Sequence, residues 1–254
     1  MRKVQITVIQ LDNYGPWTVT PSPKPEAELQ VLQSQMYAEL QKRFSSLGGL
    51  VFQSRQDNLI AVTNGIDLEA HRRIQQEVAE IFPVTVSMGV GCAERAYDAQ
   101  VAATIALQMT GSSRDPNRRC TLAGQTVSPP DEDWVEITHM DINHSTLLTD
   151  SKPIYDTQLL VGEVQLFLAK RMVRYGGMVF YMGGDNFISI TNGISEERLV
   201  ELLRDVKLEL GVGLKAGVGK GRSATTAAKL ASRALHKIRS GGNSTNIATF
   251  CEST

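Results

Sequence analysis

The chain has 254 residues, 42% hydrophobic and 21% charged, and its 26 Lys and Arg against 27 Asp and Glu leave a net charge of −1. This belongs to a globular protein of one large or two small domains, without the basic excess that a nucleic-acid or anionic-membrane partner requires. No apolar run approaches the ~20 residues of a bilayer span, and Gln5, Thr7 and Gln10 break the first run, so no signal peptide is read and a soluble cytoplasmic protein is expected.

In chain order, Val4–Leu11 is a predicted strand running into Asp12. A loop punctuated by Pro16, Pro21, Pro23 and Pro25 carries Asn13, Tyr14 and Trp17. Leu29, Leu32, Met36, Leu40 and Phe44 then recur at helical spacing. A hairpin follows, Leu50–Gln53 turning back to Leu59–Val62, with Asp57-Asn58 at the turn and Asn64-Gly65 after it. Asp67 caps a helix over Asp67–Ile81, and strand Val84–Val90 and an Ala-rich helix over Tyr97–Gln108 complete the set.

Beyond a join near Val127–Asp133 the same order returns. Strand Val135–Met140 runs into Asp141, and Leu160, Val164, Leu168, Met172 and Tyr175 mark a helix. The hairpin Val179–Met182 to Phe187–Ile190 has Asp185-Asn186 at its turn. Helix Ser195–Leu208, strand Leu214–Val218 and helix Ala224–Ile238 follow. Residues 48–66, GGLVFQSRQDNLIAVTNGI, match residues 176–194, GGMVFYMGGDNFISITNGI, at 11 of 19 positions with an offset of 128. The same offset carries Gly89-x-Gly91 onto Gly217-x-Gly219, and Asp12 aligns with Asp141 one residue out of step. The fold read from this is α+β: two tandem ferredoxin-like (split βαβ) domains, 1–127 and 128–254, related by internal duplication.

Cys92, Cys120 and Cys251 are odd in number and scattered, and His71, His139, His144 and His236 make no zinc motif. Carboxylates are better placed. Each module has one at a strand end and one at a hairpin tip, Asp12 with Asp57 and Asp141 with Asp185. Two such oxygens and a strand-end carbonyl suit magnesium on a substrate phosphate. Asp is also ordinary turn chemistry at both places. Lys215 and Arg222 are candidate triphosphate contacts or simply solvated surface charges. Gly219-Lys220-Gly221 lacks the Ser or Thr of a Walker loop.

Met182-Gly183-Gly184-Asp185-Asn186-Phe187, with Asp141 upstream, resembles the palm-type metal site of diguanylate cyclases and class III nucleotidyl cyclases. Asn186 stands where the diguanylate cyclases have Glu. The likeness implies magnesium held by Asp141, Asp185 and the Ile142 carbonyl, with Gly183, Gly184 and Asn186 against the nucleotide. Asp150 and Asp156 fall in the loop-to-helix region where those enzymes read the base.

Over nearly the whole chain the strings ITVIQLDNYGPWTVTP, GLVF, DN, TNGI, VTVSM, DIN, GGDNF and LKAG resemble the archaeal GTP cyclohydrolase III family. That resemblance implies a magnesium enzyme, not a zinc one, that opens the imidazole ring of GTP and releases pyrophosphate. The product would be 2-amino-5-formylamino-6-ribosylamino-pyrimidinone 5'-monophosphate, and monovalent cations such as potassium would activate. It places Asn13 and Tyr14 among nucleotide contacts, beside the candidates Asp156, Lys215 and Arg222. Asp12 and Asp57, with Asp185, are the catalytic candidates; the first two activate water, hold a second cation, or are relics of duplication. A nucleotidyl or diguanylate cyclase and a non-catalytic guanine-nucleotide-binding regulator are the alternative readings. Exposed sheet edges make a homo-oligomer the expected state, with no nucleic-acid or membrane partner.

Overall fold

The computed structural model describes residues 2–128, 132–143, 150–241 and 246–253. His144 and residues 129–131 of the expected join lie outside the described residues. The chain is a mixed α+β protein with two five-stranded sheets. It divides into two compact units, one of Met1–Glu94, Asp98–Asp133 and Ser223–Thr225, the other of Arg95–Tyr97, Trp134–Arg222 and Thr226–Thr254.

In the first sheet β1 (Val4–Leu11) lies between β3 (Asn58–Val62) and β4 (Val86–Ala93), antiparallel to both. β2 (Leu50–Arg55) pairs with β3, and β5 (Leu122–Gly124) adds a parallel edge to β4, giving the order β2-β3-β1-β4-β5. The second sheet is built from β6 (Val135–Ile142), β7 (Met178–Gly183), β8 (Asn186–Ile190), β9 (Leu214–Gly221) and β10 (Ile247–Cys251). Its order, β7-β8-β6-β9-β10, is the same, again with a parallel last strand.

Helices cover both faces of each sheet. α1 (Tyr14–Val19), α2 (Glu26–Ser46), α3 (Leu68–Ile81) and α4 (Ala96–Gln108) belong with the first, and α5 (Ile154–Tyr175), α6 (Glu196–Leu210) and α7 (Ala224–Arg239) with the second. Met36, Leu40 and Phe44 of α2 and Ile74 and Val78 of α3 bury against Ile9, Leu11 and Met88. Val164, Leu168 and Met172 of α5 and Leu202 and Val206 of α6 do so against Met140, Ile142 and Leu214. Each such side chain contributes roughly 1.5–3 kcal/mol by leaving water. The repeated glycines serve the other face. A Cβ on Gly89 would lie 2.1 Å from Ala103 O of α4, and one on Gly217 2.2 Å from Ala231 O of α7. These positions admit helix backbone directly onto the sheet.

Three features depart from the sequence expectation. The loop with four prolines contains a turn of helix, α1, started by Asn13 at φ 51 with Trp17 N–H donating to Asn13 O. Pro16 falls in its first turn, where no N–H is required. The fifth strands are additions: three and five residues long, they carry too short an alternation to stand out. The third concerns register. Gln10 pairs with Asn58, whereas Asp141 pairs with Asn186, and Leu11 pairs with Val86 as Ile142 pairs with Leu214. The counterpart of Asp141 is therefore Gln10, not Asp12, and Asp12 corresponds to Asn143. Among the described residues no helix is long and apolar enough to cross a membrane.

Candidate functional site

The second unit brings two carboxylates together at one end of its sheet. Asp141 is the penultimate residue of β6 and is 6% exposed. Asp185 sits in the β7–β8 turn, where Gly183 and Gly184 have φ of 101° and 60°, backbone that a side chain would strain. The Ile142 N–H donates to the Asp185 carbonyl at 3.2 Å, which fastens the turn to the strand end. Tyr181 closes the turn from within by donating its hydroxyl to Gly184 O at 3.1 Å.

Residues directly opposite in a ladder share a face. Asn186, Asp141 and Lys215 therefore stand in a row, with His139 two residues back on the same side. Asn186 Nδ2 donates to Asp185 Oδ1 at 2.7 Å, and its Oδ1 lies 3.0 Å from His139 Nε2. Arg239, the last residue of α7, reaches Asp141 with Nε 3.0 Å from Oδ2 and Nη2 2.6 Å from Oδ1. Burial raises the Asp141 carboxyl above its usual range; Arg239 opposes this and the neighbouring Asp185 adds to it. Burial likewise holds the His139 imidazole below its usual value, and the Arg239 charge works the same way.

Two carboxylates that repel each other, one of them buried with an oxygen that takes no aligned hydrogen bond, favour a cation between them. Among the described residues no three His, Cys, Asp or Glu side chains gather where they would hold one ion. The donor set fits magnesium, which is satisfied by one or two carboxylates plus phosphate and water.

Beside Ile142 opens a cavity of about 980 Å³, lined by Asn143, Ser151, Arg204, Lys207 and Gly213 among others. Among the described residues, Asn143 Oδ1 is buried there without a hydrogen bond. Asp156 lies in the first turn of α5, exposed, and Asp150 is exposed as well. Lys215 lies directly across from Asp141. Arg222 does not. It follows the far end of β9, seven residues and roughly 23 Å from Lys215 along an extended strand, beside the start of β6.

The first unit places its candidates differently. Asp12 is 3% exposed and fully engaged. Its Oδ1 accepts from Arg118 Nε and Nη2 at 3.2 and 3.1 Å, and its Oδ2 accepts from Thr85 Oγ1 at 2.8 Å and from Cys120 N–H at 3.1 Å. Asp57 accepts from Nε and Nη2 of the Arg55 guanidinium at 2.8–3.1 Å. Burial alone would raise its carboxyl, but Arg55 and Asn58 hold it below the usual range. The expected convergence of Asp12 and Asp57 is thus replaced by two separate ion pairs. Asn13 donates its N–H to Ser113 O at 2.7 Å. Tyr14 stacks on Trp17, with centroids 6.0 Å apart, and accepts from Gln33 Nε2 at 2.8 Å. Both rings pack on the core of the first unit. That arrangement is a packed cluster.

His139, Asn143 and Arg239 were not among the sequence candidates. His139 was reachable, since two residues along a strand return to the same face. Arg239 was not, because only α7's packing on the sheet brings it to Asp141, 98 residues away.

The GTP cyclohydrolase III family model matches residues 4–252. GTP cyclohydrolase III of Methanothermobacter thermautotrophicus is 49% identical over 239 residues, spanning 94% of this chain and 95% of that protein. The one from Methanocaldococcus jannaschii is 47% identical over 250 residues, 97% of this chain and 92% of its own. That of Methanobrevibacter smithii is 46% identical over 242 residues, spanning 94% and 95%. Among solved structures, the GGDEF domain of DgcB from Caulobacter crescentus in complex with c-di-GMP aligns with 46% of this chain and 77% of its own, at 16% identity and a TM-score of 0.41. With a family match reaching almost from end to end and relatives near half identity over nearly their full lengths, the chain belongs to the GTP cyclohydrolase III family.

Proposed function

We propose that this chain is a magnesium-dependent GTP cyclohydrolase that opens the guanine imidazole ring and releases pyrophosphate. The family match supports the substrate, and the Asp141–Asp185 pair carries the rest. The reaction consumes two waters. One adds at C8, after which the C8–N9 bond breaks, leaving the formyl group on N7 and a proton on the ribose-bearing N9. The other cleaves the α–β anhydride, giving the 5'-monophosphate of 2-amino-5-formylamino-6-ribosylamino-pyrimidinone and pyrophosphate.

Asp141, Asp185 and the Ile142 carbonyl would hold the ion. When bound, magnesium polarises phosphate oxygens and neutralises the leaving pyrophosphate. Lys215, on the same face, supplies a positive charge to the triphosphate. Asn143 and the cavity beside Ile142 offer the guanine and ribose a place where, among the described residues, the Asn143 amide oxygen has hydrogen-bonding capacity open. Activation by potassium and indifference to zinc belong to the same proposal, as does descent of the two sheets from one duplicated palm-like unit, supported by their shared strand order.

The test is incubation with GTP and magnesium, with EDTA and zinc controls, and identification of products by mass. The formamidopyrimidine monophosphate with pyrophosphate, lost with EDTA and restored by magnesium, is expected. Asp185→Asn should retain the fold and lose turnover; unchanged turnover overturns the metal assignment, and a cyclic nucleotide product overturns the reaction.

A further inference from the structure

The side chain of Asn186 has one orientation open to it. Its Nδ2 lies 2.7 Å from Asp185 Oδ1, a carboxylate that only accepts, so the amide nitrogen faces Asp185 and the amide oxygen faces away. That oxygen lies 3.0 Å from His139 Nε2, which must then carry the ring proton. The other ring nitrogen, Nδ1, is left as an acceptor, and Ser232 Oγ stands 3.2 Å from it with a hydroxyl to give. Ser232 donates to His139, His139 to Asn186, and Asn186 to Asp185. Each group is in the state the next one needs.

The other sheet explains why a histidine is required. There the equivalent asparagine oxygen, Asn58 Oδ1, accepts from Gln10 Nε2 at 3.0 Å. Gln10 occupies the position of Asp141. A carboxylate at that position cannot donate, so a strand that carries Asp141 must find another donor for the hairpin asparagine. The next side chain on the same face is two residues back. In the second sheet that residue is His139, and in the first it is Val8, which needs no such role and lines a cavity of about 600 Å³.

We propose that His139 is a positioning residue that sets the Asp185 carboxylate through Asn186. The proposal rests on the reading that Asp141 and Asp185 hold a divalent cation. The Asp185 carboxylate accepts from the Asn186 amide, and the hydrogen-bonded line from Ser232 through His139 fixes the orientation of that amide.

Manganese binding to the metal-free full-length protein, read by electron paramagnetic resonance, tests this beside steady-state kinetics with GTP. His139→Val, the residue of the other sheet, should weaken manganese binding roughly 10–100-fold and lower kcat more than it raises KM. His139→Gln, whose amide N–H falls near the position of Nε2, should recover binding to within a few-fold of the parent. Ser232→Ala should weaken it a few-fold, an independent check should His139→Val fail to fold. Parent-like binding by His139→Val, or His139→Gln as poor as His139→Val, overturns the proposal while the metal reading stands, provided Asp185→Asn has lost binding. A parent that binds no manganese, or Asp185→Asn that binds it unchanged, overturns both.

Discussion

Gln10 and Asp141 hold the same place in their two sheets: each is the ladder partner of its hairpin's asparagine, Asn58 or Asn186, on the strand between the hairpin and the fourth strand. An amide in one and a carboxylate in the other divide the two units chemically. The first satisfies its neighbours with a neutral donor and locks its nearby aspartates onto arginines; the second sets two carboxylates side by side.

Asp12→Ala should therefore act on stability. It leaves Arg118 charged, 5% exposed and without the carboxylate it faces, at a cost of about 3–5 kcal/mol. Urea unfolding measures this, and the double variant Asp12→Ala/Arg118→Met should regain part of the loss. A well-folded Asp12→Ala with abolished turnover would instead give Asp12 a role in chemistry.

Arg239 competes with any cation for Asp141. Its side chain is 44% exposed, so the pair is worth only ~0.2–1 kcal/mol. Arg239→Met should tighten manganese binding roughly two- to fivefold at neutral pH, measured by resonance titration. Weaker binding would mean that Arg239 organises the site and does not compete for it.

His71 is fully buried, with Nδ1 2.6 Å from Asp67 O and Nε2 2.8 Å from Thr7 Oγ1, and burial holds its pKa below 6.5. The unfolded imidazole takes up its proton near pH 6.5, the folded one only at lower pH, so below 6.5 the unfolded state binds more protons. This contribution to stability is complete above pH 6.5 and is lost progressively as pH falls. His71→Leu, matching Leu199 at the same place in α6, should flatten the difference in unfolding free energy between pH 7.5 and 5.5.

Gly217→Ala should push α7 off the sheet, because the added methyl meets backbone at 2.2 Å and 2.4 Å, from Ala231 O and Leu235 N. A loss of about 1–3 kcal/mol by denaturant unfolding is expected.

The hairpins, β1, β6, α3 and α6 were legible in the sequence because short-range physics determines them. Alternating apolar residues set the strands, and the caps behave as read: Asp67 accepts from Ala70 N–H and Ser195 from Arg198 N–H. What escaped is what depends on distant partners. Matching Asp12 to Asp141 was natural from their order along the chain, but the hairpins repeat at 128 residues and the central strands at 131, a difference that only ladder pairing exposes. Arg118 and Arg239 escaped for the same reason, as each meets its aspartate across about a hundred residues of chain. Asp141, Asp185 and Lys215 share one sheet end, whereas the length of β9 carries Arg222 to the other.

The alternation along β6 has an evolutionary consequence. Met140 and Ile142 enter the core while His139 and Asp141 face the other way, so deleting one residue from this strand would exchange the two sets. A lineage can trade side chains here one at a time, as Val8 and Gln10 illustrate, and still keep a sheet. It cannot change the length of the strand without burying a carboxylate among methionine and leucine. Insertions and deletions should therefore accumulate in the connections and be purged from the central strands, even where their residues drift.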